Sequence, residues 1–208
     1  MNNNINDTNK NTDIALSSMI IIASYFLAQI LADIGSLKIT ALGPLSFDAG
    51  TLIYPFTFTL RDLIHKKLGK KTAQRMILLC AGANLIMAGF FALVASLPAD
   101  PTWDLQIAFA AVLGPVWRIV VASIIAEIIS ELIDTEVYQF WVSKITTKHQ
   151  WARVLVSNAV SVPIDSIIFA LIAFSGVLPQ ETVWLIIWAN IGIKGIVTIF
   201  SIPLIYLV

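Results

Sequence analysis

Runs of about 20 predominantly apolar residues recur along this chain, and no other feature narrows its possible folds so far. Six can be marked, roughly at 14–34, 46–64, 74–97, 106–133, 153–176 and 183–207. A run of that length matches the hydrocarbon thickness of a bilayer when helical. Composition agrees: 58% of the residues are hydrophobic and 12% charged, against about 25% charged in soluble domains. Mean hydropathy is +0.84. The expected fold is therefore all-α, a polytopic membrane protein of six transmembrane helices occupying 14–208. The Asn-rich residues 1–13 are expected to form a disordered tail. They lack the basic start of a signal peptide, so the first run is kept as a helix. The second run is the weakest, being broken by Pro55 and flanked by Gly50.

Basic residues orient the spans. Arg61, Lys66, Lys67, Lys70, Lys71 and Arg75 flank the second connector, and Lys144, Lys148 and Arg153 the fourth. Those are nine of the 13 Lys and Arg, and the third and fifth connectors hold none. The positive-inside rule then puts the even connectors and both termini in the cytoplasm, with the chain in the cell (inner) membrane. Net charge is zero, which gives no field for nucleic acid. Cys80 has no cysteine to pair with and reads as a small buried hydrophobe. "LGKKT" (68–72) lacks the glycine of a phosphate loop and reads as a basic turn at the lipid surface. No cofactor is indicated. An enzyme is not expected either: H-E-x-x-H, G-x-S-x-G and G-x-G-D are absent, and both histidines, His65 and His149, fall in connectors.

The informative residues are the polar ones inside the spans. An ionised Arg or Asp at mid-bilayer costs about 2.5–3.5 kcal/mol, so each needs a partner or a function. Residues three, four or seven apart share a helix face. Ser18, Tyr25, Gln29 and Asp33 form such a stripe in the first span. Glu127, Glu131 and Asp134 form one in the fourth, Asn158, Ser161 and Asp165 one in the fifth, and Asn190, Lys194 and Ser201 one in the sixth. Packing these faces together would create a polar interior. Arg118 lies off the Glu127 face and needs a partner on another helix; its neighbour Trp117 is a candidate for stacking on a flat ligand. Arg61, Asp62 and Asp134 sit near the cytoplasmic boundary, and Asp33 and Asp48 read as external-boundary residues. Gln29 and Asn84 read as helix–helix glue. Pro55, Pro163 and Pro203 interrupt spans two, five and six. Span two ends at Asp62 before a basic connector and "AQR", span four at Asp134 before a basic connector and "WAR", a weak internal echo.

Several of these pieces, in order, resemble one family: "AGTLIYPFTFTLRD" (49–62), "LGKKTAQR" (68–75), "RIVVASIIAEIISELID" (118–134), "WARVLVSNAVSVPIDSIIFALIAFSG" (151–176), and a last helix with Asn190, Lys194, Pro203 and Tyr206. They are similar to the queuosine precursor transporters, also called VUT, over about 25–208. The resemblance implies a membrane importer of 7-deazaguanine bases: 7-cyano-7-deazaguanine, 7-aminomethyl-7-deazaguanine or queuine. Departures bear on which base and which coupling ion: Lys66 and Leu68 stand where the family pattern leads us to expect an acid and a tyrosine. Glu127 stands for an aromatic residue, and Glu131 for a glutamine.

A guanine-like base offers an N–H and an amine to a carboxylate, a carbonyl to a donor, and two faces to aromatic walls. The expected partners are Asp134 or Asp165 for the amine edge, and Arg118, Lys194 or Asn158 for the carbonyl. Tyr54, Phe58 or Trp117 would stack. Asp62, Glu127, Glu131 and Asn190 complete the candidate substrate-binding set, and Glu127, Glu131 or Asp165 could carry a coupled proton. The partners are thus a small-molecule substrate, the lipid bilayer and a coupling ion; nothing fixes an oligomeric state. The competing reading is the substrate-binding membrane subunit of an ATP-driven vitamin importer, which six helices of this size also suit.

Overall fold

Within lipid a backbone must satisfy its own polar groups, and a helix does so inside a single segment. The long apolar runs accordingly fold as helices. The computed structural model describes residues 2–145 and 150–201, apart from some side chains, among them those of Asp62 and Glu131. Pro203, Tyr206 and Lys148 also lie outside the described residues. The helices are α1 (Asn2–Gly35), α2 (Tyr54–Leu68), α3 (Lys70–Ser96), α4 (Gln106–Leu113), α5 (Val116–Lys144), α6 (Gln150–Phe174) and α7 (Gln180–Ser201). Five segments are long and apolar enough to cross a membrane: Ala15–Gly35, Lys71–Ser96, Gln106–Asp134, Leu155–Phe174 and Gln180–Phe200.

Two expectations change, and the mostly helical chain also holds one hairpin, the first connector folding as β1 (Ile39–Leu42) and β2 (Leu45–Asp48), with Leu42 opposite Leu45. Gly43, at φ 61°, supplies the left-handed backbone its two-residue turn needs. The second run, 46–64, is not one helix but β2, a 3-10 turn (Ala49–Leu52) and the 15-residue α2. Asp48 caps the turn by accepting the Thr51 N–H, and Pro55 sits in the first turn of α2, where its missing N–H costs nothing. The fourth run breaks at Gly114 and Pro115 into α4 and α5, and α5 continues to Lys144 through the polar stretch read as a connector. The first helix is assigned from Asn2 onward.

α2 and the turn before it run alongside α1. At one end Gly50 abuts the backbone of Ala32 and the side chain of Ser36; at the other, Lys67 Nζ donates to Ser17 Oγ. Ser17 to Ser36 covers about 28 Å of helix at 1.5 Å per residue.

Apolar clusters hold the helices together, and two of them frame the site. Ile119, Ala122 and Ala126 of α5 meet Phe169, Ala170 and Ala173 of α6 and Val183, Ile186 and Ile187 of α7. The alanines let the helix backbones come close. Tyr25, Ile64, Ala73 and Cys80 join α1, α2 and α3. Outward, Ile86 is 75% exposed, Ile107 85% and Phe200 78%, whereas Asp48, Asp165 and Lys194 are each 2% exposed or less. A protein with its oil outside and its charges inside is solvated by lipid.

Candidate functional site

Helix periodicity turns the polar faces inward, and they meet in three connected groups. The central one joins α2, α5, α6 and α7. Lys194 Nζ of α7 donates to Asp165 Oδ2 of α6 at 2.5 Å and lies 4.5 Å above the ring centroid of Tyr54. The ammonium is thus held by a carboxylate and a π-face together, both desolvated. Ser130 Oγ of α5 donates to Asp165 Oδ1 at 3.4 Å, and Tyr54 packs edge-on against Phe58 at 5.3 Å. Pro163 lies in α6 two residues before Asp165.

The second group is built by the hairpin. Asp48 Oδ1 accepts from Ser36 Oγ (2.7 Å) and from the Thr51 backbone N–H (3.1 Å). Its Oδ2 accepts from Asn190 Nδ2 (2.8 Å) and Thr51 Oγ1 (2.9 Å). Asn190 and Lys194 are one turn apart on α7, so the hairpin tip of the network leads to the central pair. Asp48 and Asp33 are both buried inside the protein, each 2% exposed or less. The chain doubles back at the hairpin, and that fold-back carries Asp48 inward.

The third group joins α1, α3 and α5. Tyr25 Oη donates to Glu127 Oε1 at 3.2 Å, and Gln29 Nε2 contacts both Tyr25 Oη and Glu127 Oε1. Asn84 Nδ2 donates to Asp33 Oδ2 at 2.7 Å.

Two small cavities flank the central pair, and Asp165 lines both. One, about 20 Å³, is bounded by Asp33, Asp48, Thr51, Tyr54, Ser123 and Lys194 as well. The other, about 10 Å³, is bounded by Phe58, Arg61, Ser130, Asp134, Asn158 and Ser161. The second lies toward the basic connectors, since Asn158 and Arg61 are nearer those ends of α6 and α2 than Asp165 and Tyr54 are. Ser161 Oγ donates to Asp134 Oδ1 at 3.3 Å, and Arg61 sits 5.3 Å over the Phe58 ring. Each space suits about one water molecule.

Of the candidate residues, Tyr54, Phe58, Asp134, Asn158, Asp165 and Lys194 thus line this interior, while Glu127 and Asn190 lie in the flanking networks. Asp62 and Glu131 have side chains outside the described residues. Two candidates lie apart from this interior. Arg118 reaches the end of α6, where its Nε donates to Ile172 O (2.7 Å) and its Nη2 to Ser175 O (2.5 Å). A cation there answers carbonyls that the helix leaves unpaired and complements the helix dipole. Trp117, one residue away and so about 100° round the helix, is 55% exposed. Arg118→Met is accordingly expected to lower stability by about 1–3 kcal/mol while leaving ligand affinity unchanged, as melting curves and binding isotherms would record. Sequence reasoning missed Ser36 and Thr51, whose small hydroxyls carry no pattern until the hairpin brings them to Asp48.

Comparison with known proteins supplies the lineage. A family described as "Putative vitamin uptake transporter" matches residues 48–208. A protein of Bacillus subtilis (strain 168), "Probable queuosine precursor transporter", is 29% identical over 184 residues, covering 86% of this chain and 79% of that relative. No solved structure matches. With more than half its length matched, from the end of the hairpin onward, the chain belongs to the vitamin uptake transporter family, the family its motifs resemble.

Proposed function

We propose that this protein imports a 7-deazaguanine base, namely 7-cyano-7-deazaguanine, 7-aminomethyl-7-deazaguanine or queuine, through the interior around Asp165, Lys194 and Tyr54. The observation that carries the reading is the meeting of a buried carboxylate, ammonium and aromatic ring between two polar cavities. Those three chemistries match the amine edge, the carbonyl and the face of such a base. The name of the Bacillus relative points the same way. Asp165 takes the amine edge, Lys194 the carbonyl, and Tyr54 with Phe58 the ring faces; Asp134 and Asn158 guide the base on the side of the basic connectors.

Ligand sites are commonly 300–1,000 Å³, far above the water-sized spaces flanking the pair. The space around the pair must therefore widen to admit a base, which the movements of alternating access would provide. Six elements cross the membrane in this scheme, the sixth being α2 with its 3-10 turn, whose extent along α1 nearly equals the roughly 30 Å hydrocarbon thickness. Both termini face the cytoplasm by the distribution of Lys and Arg.

Uptake of the labelled bases by a strain that cannot make them tests the reading. Asp165→Asn is expected to lower uptake per folded molecule about tenfold or more, the loss of a charge-assisted bond worth about 1.5–3 kcal/mol, with uptake normalised to the folded protein recovered because Lys194 is left without its carboxylate. Full uptake by that variant would remove Asp165 from the site. Transport by the purified chain in liposomes without ATP would set aside the motor-dependent alternative.

A further inference from the structure

The junction of α1, α3 and α5 has more acceptors than donors. Asn84 spends its amide N–H on Asp33, and Gln29 spends its own on Tyr25 and Glu127. These contacts fix both amides, because turning either over would set its oxygen against a carboxylate. The two amide oxygens are left over. Gln29 Oε1 and Asn84 Oδ1 are buried with no donor, on side chains 3% and 4% exposed. Asp33, 2% exposed, lies one turn after Gln29 on the same face of α1. Ser123 hydrogen-bonds its carboxylate, and among the described residues no lysine or arginine pairs with it. A buried carboxylate without a counter-charge asks for positive charge, two buried carbonyls without donors ask for a donor or a cation, and one cation can answer all three.

We infer that Asp33, the Gln29 and Asn84 side-chain oxygens and Ser123 form a binding site for a monovalent metal cation, sodium. A proton on Asp33 would serve one of the orphaned oxygens at most, whereas a metal ion serves all of them together. The donors are all oxygen, the set a hard cation takes. Among the described residues no three His, Cys, Asp or Glu side chains gather, which disfavours a divalent ion. Asp33 and Ser123 line a water-sized space, and sodium is the smaller of the two common alkali cations. Asp33 and Ser123 also line the cavity that holds Tyr54, Asp165 and Lys194. An ion here adds charge beside the central pair and links its own gradient to the movement of substrate; that link, unlike the site itself, rests on the proposed transport function.

Binding of radioactive sodium to the purified full-length protein tests the site, with potassium and choline chlorides as competitors. Saturable binding is expected that choline does not displace and potassium displaces weakly. Asp33→Asn and, separately, Asn84→Leu are expected to weaken it about tenfold or more. Absence of sodium binding in the unaltered protein would overturn the inference, and this needs no variant to fold. Equal binding by a folded Asp33→Asn protein would also overturn it, as would stabilisation that follows pH and ignores sodium. Uptake of base is a separate readout. Sodium binding without base uptake would sink the proposed function alone, and base uptake without sodium binding would sink this site alone.

Discussion

Lys194→Met is expected to leave far less folded protein in the membrane than the unaltered chain, and to abolish uptake in what remains. Lys194 and Asp165 are 2% and 1% exposed and bonded at 2.5 Å. Deleting the ammonium leaves a carboxylate whose remaining hydrogen-bond donor among the described residues is Ser130 Oγ, at 3.4 Å. Removing one partner of a buried pair costs about 3–5 kcal/mol, because the survivor keeps its desolvation penalty and loses its compensation. That is a large part of the about 5–15 kcal/mol that holds a typical domain folded. The double variant Asp165→Asn, Lys194→Met removes both charges and is expected to recover most of the folded yield without recovering uptake. Detergent-extracted monodisperse protein and its melting temperature measure the first effect, and uptake of labelled base the second. The two readouts separate roles that the geometry combines. A double variant that folds and also transports would make the pair structural only. A single variant as stable as the unaltered protein would mean that the pair is not formed.

Much of this site could be read from spacing because membrane helices are long and regular. Tyr25, Gln29 and Asp33 fall four apart, as do Ser161 and Asp165, and Asn190 and Lys194, so each set had to share a face. Burying apolar surface is no incentive in lipid, so polar faces turn inward. The five long spans follow from composition in the same way. What periodicity cannot carry is the path of the chain between helices. The burial of Asp48 was not legible, because nothing in its neighbours says that residues 39–48 fold back on themselves. Nor were the partners of Arg118, which are backbone carbonyls without a signature in sequence, at positions 172 and 175. The irregular second element was visible as trouble, in Gly50 and Pro55, but not as a hairpin and a 3-10 turn.

Gly50→Ala tests whether that irregular element is structural, and its effect is expected to rival the loss of Lys194. A Cβ at Gly50 would stand 2.2 Å from the Ala32 carbonyl oxygen and 2.2 Å from Ser36 Oγ. The serine can turn away, although that would cost Asp48 one of its donors. The carbonyl cannot, because it belongs to the backbone of α1 and accepts the Ser36 N–H at 2.9 Å. The 3-10 turn must therefore back away from α1, drawing Thr51 and the hairpin with it and opening the bonds that tie Asp48 to Asn190. Overpacking alone typically costs about 1–3 kcal/mol, and an unsatisfied buried carboxylate adds more. Gly82→Ala is the matched control: Gly82 sits within α3 with no heavy atom within 4 Å of the added methyl. There alanine should be neutral or stabilise by up to about 1 kcal/mol through helix propensity. Melting curves and uptake for the two variants side by side give the contrast. If Gly50→Ala behaves like Gly82→Ala, the close approach of the turn to α1 is not what seats Asp48 among its partners.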